Sequence, residues 1–142
     1  MSCEYHYEES KKRPNYYSEC IKVTKNHIEN DLEFSVNEFD KSLPRSEELS
    51  TLGRVSYSEK SISIHCYCAG CALLTLLHEA GHAMHYLRCK DDEEIPTLEE
   101  RELTADKLGH ELGISLGFDL EVEWKEFVHE IIPDEGQEDR SW

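Results

Sequence analysis

At 142 residues, 38% of them hydrophobic, the chain is long enough to bury a core of its own and short enough to be read as one domain. Its 31 acidic residues against 15 basic ones leave a formal charge of −16. That balance excludes direct nucleic-acid binding through clustered Lys and Arg, since Lys11, Lys12 and Arg13 form the only short basic run.

No apolar run approaches the roughly eighteen residues of a membrane helix, and "MSCEYHYEESKKRPNYY" has no apolar segment of the signal-peptide kind. A cytoplasmic location without membrane association is the expectation. Without an export signal, the six cysteines read as free thiols or metal ligands rather than as a disulfide framework.

Residues 1–15 are polar, end in "KKRPN" and read as a flexible arm. From Tyr16 to about Asp31, Tyr17, Cys20, Ile21, Thr24 and Ile28 recur at helical spacing. "LEFSVNEFD" follows, where Leu32, Phe34, Val36 and Phe39 partly alternate and suggest an extended segment. "KSLPRSEELSTLG" is a polar connection containing Pro44 and Gly53. "RVSY" and "SISIHCY", separated by the turn "SEK", predict a β-hairpin. Ile62, Ile64 and Cys66 alternate with Ser61, Ser63 and His65, as on a half-buried strand, and that strand is expected to offer an edge to an extended peptide.

A long helix is predicted from about Cys71 to Arg88. Thr97 and Glu100 then have the spacing of a capping box, opening a helix over 98–112 that is expected to stop near Gly113, with Gly117 in the next connection. "DLEVEWKEFVHEII" predicts a last amphipathic helix with Leu120, Trp124, Phe127, Val128 and Ile131 on one face. Residues 133–142 read as a disordered acidic tail, which leaves 16–132 as a single α+β domain.

The chemistry is concentrated in "LLTLLHEAGHAMHYL", residues 73–87, which sets polar side chains into an apolar helical run. Residues four apart on a helix lie one above the other, so His78 and His82 can converge on one ion such as Zn²⁺. Glu79, turned about 100° around the helix, can reach a metal-activated water without being a ligand, which suits a general base. In a chain this rich in His and Glu the pattern can arise by chance, so its surroundings decide. An imidazole is costly to bury unpaired in an apolar helix, and Gly81 and Ala83 leave room beside His82 for a second element.

"ERELTAD" supplies that element. Nineteen residues separate His82 from Glu102, enough for a turn and a returning helix. Glu102 can then be the third ligand, and Asp106, one turn further, can accept a hydrogen bond from the far ring nitrogen of His78. Two histidines and one glutamate leave a fourth position for water, the open arrangement of a catalytic zinc ion.

"HEAGH" followed by "ELTAD" resembles the zinc metallopeptidases called gluzincins. With the short hairpin ahead of the motif and the small size, it looks most like the ImmA/IrrE-type peptidases and minimal gluzincins, over roughly residues 53–113. The resemblance implies a small zincin-like domain with a short sheet packed on the motif helix and a second ligand-bearing helix. It implies one catalytic Zn²⁺ on His78, His82 and Glu102, with Glu79 as base and proton shuttle and Asp106 orienting a ligand. The reaction would be hydrolysis of peptide bonds in a protein or peptide, in the ImmA/IrrE group a regulatory protein. A non-catalytic, metal-stabilised protein-binding module and a zinc hydrolase of non-peptide substrates are the alternatives.

Several residues stand near this pattern without a fixed role. His85 falls on nearly the same face as His78 and could line the site, although a partly exposed position at the helix end is the plainer expectation. His110 continues the Glu102 and Asp106 stripe. Tyr57, Tyr86, His110 and His129 are conceivable stabilisers of a developing oxyanion. Cys66, Cys68 and Cys71 with His65 read as small thiols packed under the motif helix, with a second metal as the alternative. "DDEE" at 91–94 reads as a solvated loop.

Overall fold

A computed structural model of the chain describes residues 13–38, 53–64, 69–91, 94 and 96–130, with side chains described at all of these except Pro14, Glu38, Ala69, Cys71 and residues 126–130. Among them are four helices and a three-stranded sheet, a mixed helix-and-sheet domain of the class that the residue patterns predict. No helix among the described residues is long and apolar enough to cross a membrane.

Helix α1, Pro14–His27, begins two residues earlier than the periodicity alone predicts, with proline in its first turn, where its missing N–H costs nothing. Tyr17, Cys20, Thr24 and Ile28 form its buried stripe, as their spacing predicts. A single π-turn, Ile28–Leu32, continues it. Glu33 then adopts a left-handed φ of 60°, and the Phe34 N–H bonds the Ile28 carbonyl at 3.2 Å, turning Phe34 into the core.

Strand β1, Ser35–Glu38, follows, then β2, Gly53–Ser56, and β3, Ser61–Ile64. The strands lie in the order β1-β3-β2, with β2 antiparallel and β1 parallel to β3. Val36, Ile62 and Val55 share one register row, and Ile62, Ile64 and Val55 are buried. The predicted hairpin is therefore present. The expectation that β3 offers an open edge is not met: β1 takes the ladder that the hairpin leaves, so β3 is central and the outer edges belong to β1 and β2.

Helix α2, Ala69–Cys89, carries the His-Glu-x-x-His pattern. Leu73, Leu74, Leu76, Leu77, Ala80 and Ala83 are fully buried around it, as expected of a helix apolar on most sides. Each buried leucine contributes about 1.5–3 kcal/mol of transfer free energy. The sheet packs on one face of α2, α1 on another, and helix α3, Leu98–Ser115, on a third.

Thr97 caps α3 by accepting the Glu100 amide N–H at 3.2 Å, as its spacing with Glu100 predicts. The helix runs past Gly113, the expected stop, to Ser115. Gly117 ends it at φ 87°, with the Gly117 N–H bonded to the Ile114 carbonyl and the Phe118 N–H to the Gly113 carbonyl, each at 2.9 Å. This is a complete left-handed helix stop. Gly113 stays within the helix, where a Cβ would make only ordinary contacts with Leu77, Phe118 and Leu120.

Helix α4, Glu121–Glu130, is tied to the start of α1. Arg13 pairs with buried Glu123 and donates to the Asp119 carbonyl at 3.2 Å, while the Tyr17 hydroxyl also donates to Glu123. Burial and the neighbouring carboxylate hold the Tyr17 hydroxyl well above the ordinary tyrosine range. The rest of the expected N-terminal arm, the acidic tail, and the cluster of His65, Cys66 and Cys68 lie outside the described residues.

Candidate metal centre

Glycine sets the separation of α2 and α3. A Cβ at Gly81 would lie 2.1 Å from the Ala105 carbonyl oxygen, and one at Gly109 would lie 2.6 Å from that of Leu77. The two backbones therefore touch at two points one helical turn apart, and the pairing of 77 with 109 and 81 with 105 makes the helices antiparallel. No side chain fits between them at those points. The close approach delivers Glu102 and Asp106, both on α3, to the imidazoles of α2.

The Glu102 carboxylate lies between the two rings. Its Oε2 is 2.9 Å from His78 Nε2, and its Oε1 is 3.3 Å from His82 Nε2. The rings stand edge to face, 4.7 Å apart and 89° to one another. His78 donates Nδ1–H to Asp106 Oδ1 at 2.6 Å. Both rings and the Glu79 and Glu102 carboxylates are taken from water: exposure is 6% at His78, 2% at Glu79, 0% at His82 and 5% at Glu102. His78, Glu79 and His82 offer ligand atoms that all lie within 4.8 Å of one another.

These distances fit a small divalent ion. Two ligand atoms on a tetrahedral zinc with bonds near 2.0–2.1 Å are separated by about 3.3 Å, so the Nε2-to-carboxylate spacings need at most a small opening. Glu102 Oε1 is buried with no hydrogen-bond partner among the described residues, its 3.3 Å approach to His82 lacking hydrogen-bond geometry. An oxygen in that position is available to a cation.

The charges settle accordingly. Burial works against a charge on His78, but the Asp106 and Glu102 carboxylates outweigh it and push the imidazole up to about 10. Burial likewise opposes the Glu102 carboxylate, yet the two imidazoles bring it down to about 2. His82, fully buried, is held below the ordinary histidine value by desolvation. A cationic His78 between two carboxylates marks a place built for positive charge.

Glu79 projects from the adjoining face of α2, beneath β2. A Cβ at Gly53 would sit 2.6 Å from Thr75 Cγ2 and 2.7 Å from Glu79 Oε2, so β2 can lie over Glu79 only because Gly53 has no side chain. Gly53, read from sequence as part of a polar connection, is thus a site residue. An isolated glycine opening a β-rich run is the signal of close backbone approach that could have found it. Further along, Tyr57 stacks on Tyr86, with centroids 4.5 Å apart and planes at 19°. Tyr86 is seven residues beyond Glu79, so β2 and its turn follow the Glu79 face of α2 for about two turns.

His85 differs from its plainer expectation: it is buried, at 8% exposure. The antiparallel pairing that joins 77 with 109 and 81 with 105 brings 85 opposite 101, and desolvation with the nearby Arg101 and Arg88 charges holds its imidazole low. His110 lies 5.6 Å from the Trp124 ring of α4. The side chain of His129 is outside the described set.

No protein-family model, curated protein or solved structure matches this chain. The gluzincin resemblance rests on the residues at 78–82 and 102–106.

Proposed function

We propose that the chain is a zinc-dependent metallopeptidase, with one Zn²⁺ held by His78, His82 and Glu102. The observation that carries this reading is the Glu102 carboxylate, brought in by a separate helix to reach the Nε2 atoms of both histidines. When bound, zinc would supply a Lewis acid that polarises a peptide carbonyl and makes a water acidic near neutral pH.

The remaining work falls to side chains. Asp106 accepts Nδ1–H of His78, which fixes the ring and makes Nε2, once its proton has left, the atom that ligates. Glu79 accepts the proton of the attacking water and returns it to the departing amine as the C–N bond breaks. Its shelter under Gly53 keeps bulk water from that carboxylate. The substrate would be a protein or peptide in extended form, and the edge of β2, rather than β3, is where such a segment would pair. A cytoplasmic location accompanies this reading.

One observation favours a second reading. Glu79 is 2% exposed, and its ligand atom lies within 4.8 Å of those of both histidines. It could be a fourth ligand, closing the site and making the ion a staple between α2 and α3 in a non-catalytic binding module. Glu79→Gln separates the two. A peptidase variant keeps stoichiometric zinc and loses proteolysis, whereas a closed four-ligand site loses zinc affinity. His78→Ala loses metal in both, and a wild-type protein that takes up no zinc would overturn both.

A further inference from the structure

Strand β2 presents two faces. Gly53 and Val55 point to α2, so alternation sends Arg54 and Ser56 to the opposite face. On that face the register rows read Arg54, Ser63, Asn37 and then Ser56, Ser61, Ser35. Neither row contains a carboxylate, although the chain has 31 acidic residues.

Arg54 is only partly exposed, and its Nε is shielded from water with no hydrogen-bond partner among the described residues. Arg13, by contrast, is committed to Glu123. A guanidinium N–H removed from water without an acceptor is costly, and such a group is retained where a ligand brings the acceptor.

Among the described residues β2 pairs only with β3, and its second edge, beside the candidate site, takes no described strand. A peptide strand added there would place side chains on the Arg54 face with Cβ atoms about 4.5–5.5 Å away directly opposite, and within reach of a long side chain on the diagonals. A carboxylate matches the forked guanidinium donors.

We infer that Arg54 is a specificity-determining residue that selects an acidic side chain, Asp or Glu, on the outward face of an extended peptide lying along β2. This inference rests on the peptidase reading for the position of the peptide. The preference is for one carboxylate at one place. The overall charge of −16 repels a generally acidic peptide, so added acidic residues elsewhere weaken binding.

The test uses a fluorescein-labelled twelve-residue peptide of Ala, Ser, Thr and Val bearing one central Glu, and its Gln twin. Anisotropy on the zinc-loaded wild-type protein and on Glu79→Gln reads binding with and without turnover. The Glu peptide should bind about tenfold more tightly than the Gln twin. Arg54→Gln should abolish the difference, Arg54→Lys should keep part of it, and Arg54→Glu should shift preference to a Lys-bearing twin, with circular dichroism confirming that each variant is folded.

Equal affinity for the twins, absence of binding by both, or a preference that survives in folded Arg54→Gln would overturn the inference. Cleavage of both twins at equal rates by wild type would overturn it while supporting the peptidase reading. Arg54-dependent binding without cleavage of either peptide would uphold acid recognition and count against the peptidase.

Discussion

Asp106 accepts the Nδ1–H of His78 across 2.6 Å, one helical turn beyond Glu102 on the same helix. A single element of secondary structure thus supplies both a proposed metal ligand and the group that orients another. Asp106→Asn replaces an anionic acceptor with a neutral amide and should lower zinc affinity about 10–100-fold. Competition against a chromogenic chelator measures this directly. An affinity unchanged within about twofold would mean that Asp106 plays no part in holding the metal.

The glycines of the α2–α3 contact should differ sharply in their tolerance of alanine. A methyl at Gly81 meets a backbone carbonyl at 2.1 Å and can be accommodated only by moving a helix. Gly81→Ala should therefore cost about 1–3 kcal/mol or more in urea denaturation, and it should weaken zinc binding by drawing Glu102 away from the imidazoles. At Gly113 the contacts are ordinary, the nearest being Leu77 Cδ1 at 3.5 Å. Gly113→Ala should instead stabilise by about 0.4–1 kcal/mol, because it sits in helical backbone.

The chelated protein and the zinc-loaded protein should respond to pH in opposite ways. His78 is raised from 6.5 to about 10, so its contribution to folding is complete below pH 6.5 and is lost as pH rises toward 10. Glu102 is lowered from 4.5 to about 2, so its contribution is complete above pH 4.5 and is lost as pH falls toward 2. Both are fully present between pH 4.5 and 6.5, where this pair gives the chelated protein its maximal support. Zinc must displace the Nε2 proton of His78, so its apparent affinity should rise with pH, approaching about tenfold per unit below 10 for the one proton. Urea denaturation in EDTA and zinc titrations over pH 6–8 provide the two curves. A zinc affinity flat with pH would show that His78 carries no such proton.

The contacts that come from spacing along one helix were readable from residues alone. His78 with His82 and Glu102 with Asp106 are each four apart, and the nineteen-residue gap is what a returning helix needs. The buried stripe of α1 and the Thr97 cap are local in the same sense. What depends on the path of a distant segment was not readable. The parallel partnership of β1 with β3 leaves no mark in either strand, and it changes β3 from an edge to the centre. Gly113 and Gly117 both have the character of a helix stop, and it is Gly117 that takes the left-handed φ of 87°. His85 is buried because α3 runs antiparallel over it, which its own neighbours do not specify.

Gly53 offers the sharpest separation of chemistry from metal binding. A methyl there would press on Thr75 Cγ2, a stiff β-branched group, and on the flexible end of Glu79, while the atoms that Glu102 shares with His78 and His82 lie outside its nearest contacts. The carboxylate of Glu79 is the part that can yield. In a peptidase, Gly53→Ala should keep full zinc occupancy and lower kcat by about tenfold to a hundredfold, since a general base displaced by an ångström loses its alignment with the attacking water. If Glu79 is instead a fourth ligand, the same methyl should reduce zinc affinity. Metal analysis beside steady-state proteolysis reads both quantities, and unchanged values in each would mean that β2 shifts to admit the methyl without disturbing Glu79.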